Sequence, residues 1–161
     1  PLPLQLDTSD PIAMERAMRR YNGKPMLNSV SGKAESMEAV FPLVKKYGGV
    51  VVGLTLDEGG IPDTADGRVA IARKIRDTAA QYGIPAHDIV IDPLTLTVSS
   101  EPDAALVTLE ALGRIGPEVG CPTILGVSNV SFGLPRREAV NSAFFLLALE
   151  HGVDCFKVVK K

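Results

Sequence analysis

Five short polar residues, Asp7, Asn28, Asp92, Ser128 and Asn129, stand at or just past apolar runs in this 161-residue chain. A carboxylate only accepts hydrogen bonds, while a carboxamide or a hydroxyl both donates and accepts, so the set is equipped to hold a polar small molecule. Taken singly, Asp and Asn are ordinary loop residues and helix N-caps, and it is their joint placement that carries weight. Asp57 and Glu58 also follow an apolar run and could face the same site. The remaining chemistry-bearing residues are poorer candidates. His87 and His151 have no catalytic partner pattern, and His151 falls in a last helical turn where a cation suits the dipole. Cys121 and Cys155 can neither complete a four-ligand zinc site nor build a disulfide framework, and both are expected to be small buried apolar residues. No metal site is expected.

The elements that must position the five residues alternate at a regular beat. The spacing predicts strands at Leu2–Leu6, Pro25–Asn28, Val50–Leu54, Ile89–Asp92, Thr123–Val127 and Val153–Val159. Lys157 breaks the apolar character of the last of these. Helices are predicted from Pro11 to Tyr21, Ala34 to Tyr47, Asp66 to Tyr82, Pro102 to Ile115 and Arg136 to His151, several of them closed by glycine. Val50-Val51-Val52-Gly53-Leu54 is apolar without alternation, as expected of a strand covered on both faces. Six strands alternating with five helices call for right-handed βαβ units and one parallel sheet, either doubly wound or closed as a barrel. In both architectures the chemistry lies at the carboxyl ends of the strands, where Asp7, Asn28, Asp92, Ser128 and Asn129 would share one rim. No G-x-G-x-x-G or G-x-x-x-x-G-K-S/T follows any strand, which argues against a dinucleotide or nucleotide enzyme.

Composition narrows the partners. With 17 Lys plus Arg against 19 Asp plus Glu the formal charge is −2, so no basic footprint invites nucleic acid or an anionic membrane. The longest apolar run, around Phe144 to Leu149, is far too short to span a bilayer, and the opening P-L-P-L-Q-L-D has no basic region followed by an apolar stretch. A reducing, cytoplasmic setting is expected. An open six-stranded sheet would leave two edges exposed, which favours self-association into a homo-oligomer.

Five segments carry a family resemblance: P-L-Q-L-D-T (Pro3 to Thr8), P-M-L-N-S (Pro25 to Ser29), L-T-L-D-E-G-G-I-P (Leu54 to Pro62), I-D-P-L (Ile91 to Leu94) and G-V-S-N-V-S-F-G-L-P-R-R (Gly126 to Arg137). In order and separation they resemble the pterin-binding methyltransferase family. The methyltetrahydrofolate-binding domain of cobalamin-dependent methionine synthase is its nearest branch, the corrinoid iron-sulfur protein methyltransferases lie close by, and dihydropteroate synthase is more distant. The resemblance implies an α/β (β/α)8 TIM-type barrel. Such a barrel takes about 250 residues, and the first motif here corresponds to the family's third strand. The chain, residues 1–161, is therefore expected to be a single partial barrel domain lacking the first two strands.

By the same resemblance, Asp7, Asn28 and Asp92 would bond the aminopyrimidine edge of a pterin, and Asn129 would meet its N5 atom, which bears the methyl group. Gly126 and Ser128 would shape the adjoining wall. Arg137 would lie near the pterin or its polar tail, although Arg136 replaces an Asp of the family pattern. The implied reaction is methyl transfer from 5-methyltetrahydrofolate to a reduced cobalamin or other corrinoid. The corrinoid would be carried by a partner domain or protein, because no D-x-H-x-x-G motif is present. Two rivals remain open. A dihydropteroate synthase-like pterin enzyme would share Asp7, Asn28 and Asp92 but should carry a Gly-rich loop after I-D-P, where Leu94-Thr95-Leu96 stands, and a Lys and an Arg on the late strands. The other is a non-catalytic folate-binding fragment.

Overall fold

Residues 3–157 are described by a computed structural model. Six strands alternate with five helices: β1 (Gln5–Asp7), α1 (Pro11–Arg20), β2 (Met26–Ser31), α2 (Ala34–Tyr47), β3 (Val50–Leu54), α3 (Ala65–Gln81), β4 (Ile89–Asp92), α4 (Ala104–Val119), β5 (Ile124–Gly126), α5 (Arg137–Glu150) and β6 (Cys155–Lys157). The predicted strand positions at Leu2 and at 158–159 lie outside the described residues.

Local chemistry accounts for the element ends. Asp10 caps α1 by accepting a hydrogen bond from the Ile12 N–H at 2.8 Å, with Pro11 in the first helical position where its missing N–H is no loss. Thr64 does the same for α3, accepting from Gly67 at 3.2 Å. In α2 the buried residues Met37, Val40, Phe41 and Val44 follow helical spacing and face the sheet. Helix α4 runs past its predicted end at Ile115, through Pro117, because Ile115 and Val119 are both buried and Gly120, at φ +74°, supplies the left-handed stop. Strand β5 ends at Gly126, earlier than predicted. The chain then turns through a 3-10 segment, Val127–Ser131, whose Val127 and Val130 are buried against Leu109, Leu112 and Phe144.

Strand order settles the architecture. All described pairings are parallel, β1-β2-β3-β4 lie side by side in chain order, and β5 pairs with β6. A single parallel bridge, Ile91 to Thr123, joins the two groups. A doubly wound sheet reverses its order at a switch point, whereas this order advances monotonically, as in the wall of a barrel.

The two faces of that wall follow from the strand period of two. Leu27, Val51, Ile89 and Ile91 point outward into the same buried cluster as Phe41, Val44, Ile75 and Ile115 of the helices. Val52, Val90 and Ile124 have the opposite parity and form a separate inner cluster, with Met26, Val50, Leu54 and Cys155 against it. Each fully buried branched side chain of this kind contributes roughly 1.5–3 kcal/mol. Gly53 lets α3 approach β3, since a Cβ there would lie 3.0 Å from Ile91 Cδ1 and 3.1 Å from Ile75 Cγ2.

One charged residue is part of the scaffold. Arg68 of α3 is only 1% exposed. Its Nε donates to the Pro62 carbonyl at 3.0 Å, and its Nη1 donates to the carbonyls of Pro93 and Leu94, at 3.0 and 2.8 Å, and to Thr108 Oγ1 at 2.9 Å. It thereby ties the loops after β3 and β4 to two helices. Burial pulls the guanidinium below its ordinary proton affinity, and the charges of Asp63 and Asp92 oppose that shift. Arg68→Met would leave three loop carbonyls without this donor. Because each buried unsatisfied group costs about 1–3 kcal/mol, urea denaturation should show a loss of about 3 kcal/mol or more. A loss below about 1 kcal/mol would mean that the loops find other donors.

Candidate functional site

Asp7, Asp92, Gly126 and Lys157 close β1, β4, β5 and β6 among the described residues, whereas β2 runs past its predicted end at Asn28 to Ser31, where it still pairs with β3, and leaves Asn28 within the strand; each of the five has the parity of the inner face. Asp7 and Asn28 are direct register partners. Asn28 Nδ2 donates to Asp7 Oδ2 at 2.9 Å, and this bond fixes the orientation of the amide, turning Asn28 Oδ1 away from Asp7.

Asp92 is held more tightly. It is 4% exposed, its backbone carbonyl accepts from Thr55 N–H and Oγ1 at 3.1 and 3.2 Å, and its Oδ1 accepts from the Leu94 N–H at 2.9 Å. Leu94 adopts φ +65°, an unfavourable value for a branched residue, and the Arg68 guanidinium grips its carbonyl. The other carboxylate oxygen, Oδ2, is left for a partner on the inner face.

That partner is Lys157. Its Nζ donates to Asp92 Oδ2 at 3.0 Å and to Asn28 Oδ1 at 3.3 Å. Sequence reasoning treated Lys157 as an interruption of an apolar strand. Its parity with Gly126, and so its place on the inner face, comes from the pairing of β5 with β6. Asp7, Asp92 and Lys157 leave one negative charge in excess at this edge, with acceptor oxygens directed inward.

The loop after β5 carries the other candidates. Ser128 is half-buried, and its carbonyl accepts from Arg137 Nη2 at 2.9 Å. Arg137 Nε donates to Ser131 Oγ at 3.0 Å, and the guanidinium lies 4.5 Å from the centre of the Phe132 ring. Arg137 thus braces its own loop. Asn129 is exposed, its carbonyl accepts from the Phe132 N–H at 3.3 Å, and a Cβ on Gly126 would lie 3.6 Å from its Nδ2. Among the described residues its carboxamide forms no hydrogen bond. A cavity of about 440 Å³, lined by Ser128, Asn141, Phe145, Leu146 and Lys157 among others, adjoins the acceptor edge through Lys157 rather than containing it.

Asp57 and Glu58 serve their loops instead of lining the rim. Asp57 Oδ1 accepts from the Gly59 N–H at 2.9 Å, and Glu58 Oε1 accepts from the Ala34 N–H at the start of α2, also at 2.9 Å, a bond that holds the Glu58 carboxyl below its usual value. Cys121 is buried, and desolvation pushes its thiol up to about 11, whereas Cys155 is only partly buried on the inner face. His151 Nδ1 bonds the Leu147 carbonyl at 2.8 Å, and His87 Nε2 is 3.8 Å from Asp88, so both histidines are engaged away from the rim. Among the described residues no helix is long and apolar enough to cross a membrane.

Comparisons with known proteins bear on the fold and the family. The dihydropteroate synthase of Thermus thermophilus superposes with a TM-score of 0.75 over 96% of this chain and 64% of that one, at 23% identity. That of Xanthomonas albilineans, solved with 4-aminobenzoic acid, gives 0.73 over 96% and 61%, at 27% identity. Among curated proteins, methionine synthase of Mycobacterium tuberculosis is 33% identical over 95% of this chain. Methylcorrinoid:tetrahydrofolate methyltransferase of Eubacterium limosum is 29% identical over 94% of it. The chain spans 14% of the first of these and 57% of the second. The α/β wall is a partial TIM-type barrel of the kind these enzymes share. Residues 1–159 match the pterin binding enzyme family, to which this chain therefore belongs.

Proposed function

We propose that the rim binds the pterin of 5-methyltetrahydrofolate and that the chain serves methyl transfer from it to a reduced corrinoid. The observation that carries this reading is the edge built by Asp7, Asn28 and Asp92, which directs Asp92 Oδ2 and Asn28 Oδ1 inward while their other polar atoms are held by the protein. A 2-amino-4-oxopyrimidine presents adjacent N–H donors that such acceptors match. The curated relatives named methionine synthase and methylcorrinoid:tetrahydrofolate methyltransferase support the folate donor and the methyl group as cargo.

The chain needs no nucleophilic Ser or Cys for this chemistry. A corrinoid bound by a partner domain or protein would supply the nucleophile, since this chain has no D-x-H-x-x-G motif of its own. Asp7, Asn28 and Asp92 would fix the ring, Gly126 and Ser128 would wall one side of it, and Arg137 would brace the loop beside them. Asn129, whose carboxamide is not engaged elsewhere among the described residues, can donate to or accept from N5 as that atom gains its proton and tetrahydrofolate leaves. A cytoplasmic setting fits this chemistry.

A second reading has one specific observation in its favour. Dihydropteroate synthases share the fold, and Lys157 is a late-strand lysine of the kind that such an enzyme is expected to carry. Leu94-Thr95-Leu96, in place of a Gly-rich loop, counts against it. Assaying the chain for methyl transfer to reduced cobalamin, and separately for dihydropteroate formation from 4-aminobenzoic acid, distinguishes the two.

Asp7→Asn and Asp92→Asn each replace an acceptor-only group with one that presents an N–H toward another N–H. Calorimetric titration with 5-methyltetrahydrofolate should show a loss of about 1.5–3 kcal/mol for each. Unchanged affinity in both variants would refute the edge assignment. Asn129→Ala should slow single-turnover transfer to reduced cobalamin at saturating folate by something on the order of 10²–10³-fold, more than it weakens binding. A normal rate at saturation with only a raised Kd would make Asn129 a binding or loop residue.

A further inference from the structure

At the edge formed by Asp7, Asn28 and Asp92, nearly every polar side-chain atom is already bonded within the protein. Asp92 Oδ1 accepts from Leu94, and Asn28 Nδ2 donates to Asp7 Oδ2. The atoms left facing inward are acceptors: Asp92 Oδ2, Asn28 Oδ1 and the second oxygen of Asp7. Lys157 already donates to two of these three, at 3.0 and 3.3 Å. Its ammonium therefore stands where a ligand's N–H groups would have to be. Lys157 reaches this place from β6, across the wall from β2 and β4, beside Gly126, its register partner on β5. The lysine side chain is 26% exposed and that of Asp92 only 6%. The carboxylate is fixed, and the ammonium is the member of the pair that can move out toward water or into the adjoining cavity, which Lys157 also lines.

We propose that Lys157 is an internal competitor for the pterin edge, an inference that rests on the rim being a pterin site. With no ligand bound, its ammonium satisfies Asp92 and Asn28. A pterin replaces it by offering two adjacent donors, an amino group and a ring N–H, so the ammonium is released as the heterocycle settles. The exchange sets specificity as well as affinity. A ligand with one donor leaves either Asp92 Oδ2 or Asn28 Oδ1 without the bond that Lys157 had given it, and so competes poorly.

The test is calorimetric titration of the chain with 6-methyltetrahydropterin, which has no glutamate tail whose carboxylates could attract the lysine. Lys157→Met should bind about fivefold to twentyfold more tightly than wild type, and Lys157→Gln, which keeps a donor but no charge, should gain less. Circular dichroism confirms that each variant is folded. If Lys157→Met does not fold, salt supplies the second measurement. Raising NaCl from roughly 50 to 500 mM screens the part-exposed ion pair and should tighten binding to wild type but not to Lys157→Gln. Equal or weaker binding by the variants, or no salt effect on wild type, overturns the competitor role and leaves the pterin reading standing. No binding by wild type or by either variant overturns the pterin reading, and this inference with it.

Discussion

Everything at the rim depends on the alternation of side chains along strands that are covered on both faces. In a parallel wall each strand must give one parity to the helices and the other to the interior. Here Leu27, Val51, Ile89, Ile91 and Leu125 take the outer role, and Val52, Val90 and Ile124 the inner one. Because all strands run the same way, the inner parity also brings Asp7, Asn28, Asp92 and Lys157 to the same end. A one-residue slip of β4 would turn Asp92 outward among the helices, where a carboxylate has no partner. The apolar pattern lower in the wall is therefore what holds the polar edge in register.

A second layer of control is polar and buried. The Arg68 guanidinium holds Pro62, Pro93 and Leu94 through their carbonyls, and the Leu94 N–H in turn holds one oxygen of Asp92. A buried charge satisfied by backbone carbonyls is stable only while all its bonds are made. The positive φ of Leu94 is maintained by this grip, so local backbone strain is set against a network that over-determines it. The loop that presents Asp92 is thus held in place, and the loop that carries the exposed Asn129 is braced by Arg137 on one side and, through the Val130 and Phe132 carbonyls, by Thr97, Val98 and Ser99 on the other.

The electrostatic character of the site is decided by Lys157. Without it, Asp7 and Asp92 would present two negative charges; with it, two of the three inward acceptors are bonded and one negative charge remains in excess. The same contact joins β6 to β2 and β4 across the interior, where no backbone pairing connects them. One side chain thereby ties distant strands of the wall together and occupies two acceptors of the rim.

Much of this was legible in the residues themselves. Val50–Leu54, Ile89–Asp92 and Ala34–Tyr47 fall where their patterns predict, because strong runs and caps decide local structure with little outside help. Asp7 and Asp92 could be placed at strand ends for the same reason, whereas Asn28, predicted to end its strand, lies within one that runs to Ser31; the motifs around all three pointed to the family that the chain proved to match. Pattern alone left a doubly wound sheet and a barrel equally open, since both alternate strand and helix; the order of pairing is a long-range property and only the tertiary structure decided it. The roles of Arg68 and Lys157 were likewise beyond reach. A charge in a helix or near a chain end reads as solvated until its partners are known, and apart from Pro62 those partners lie 25 to 129 positions away in sequence. Asp57 and Glu58 could have faced the site or served their loop; Asp57 accepts from the nearby Gly59 N–H, and only the fold brings the Ala34 N–H to Glu58. Periodicity and caps act within a few residues of themselves, whereas the pairing of buried polar groups is fixed only when distant segments meet.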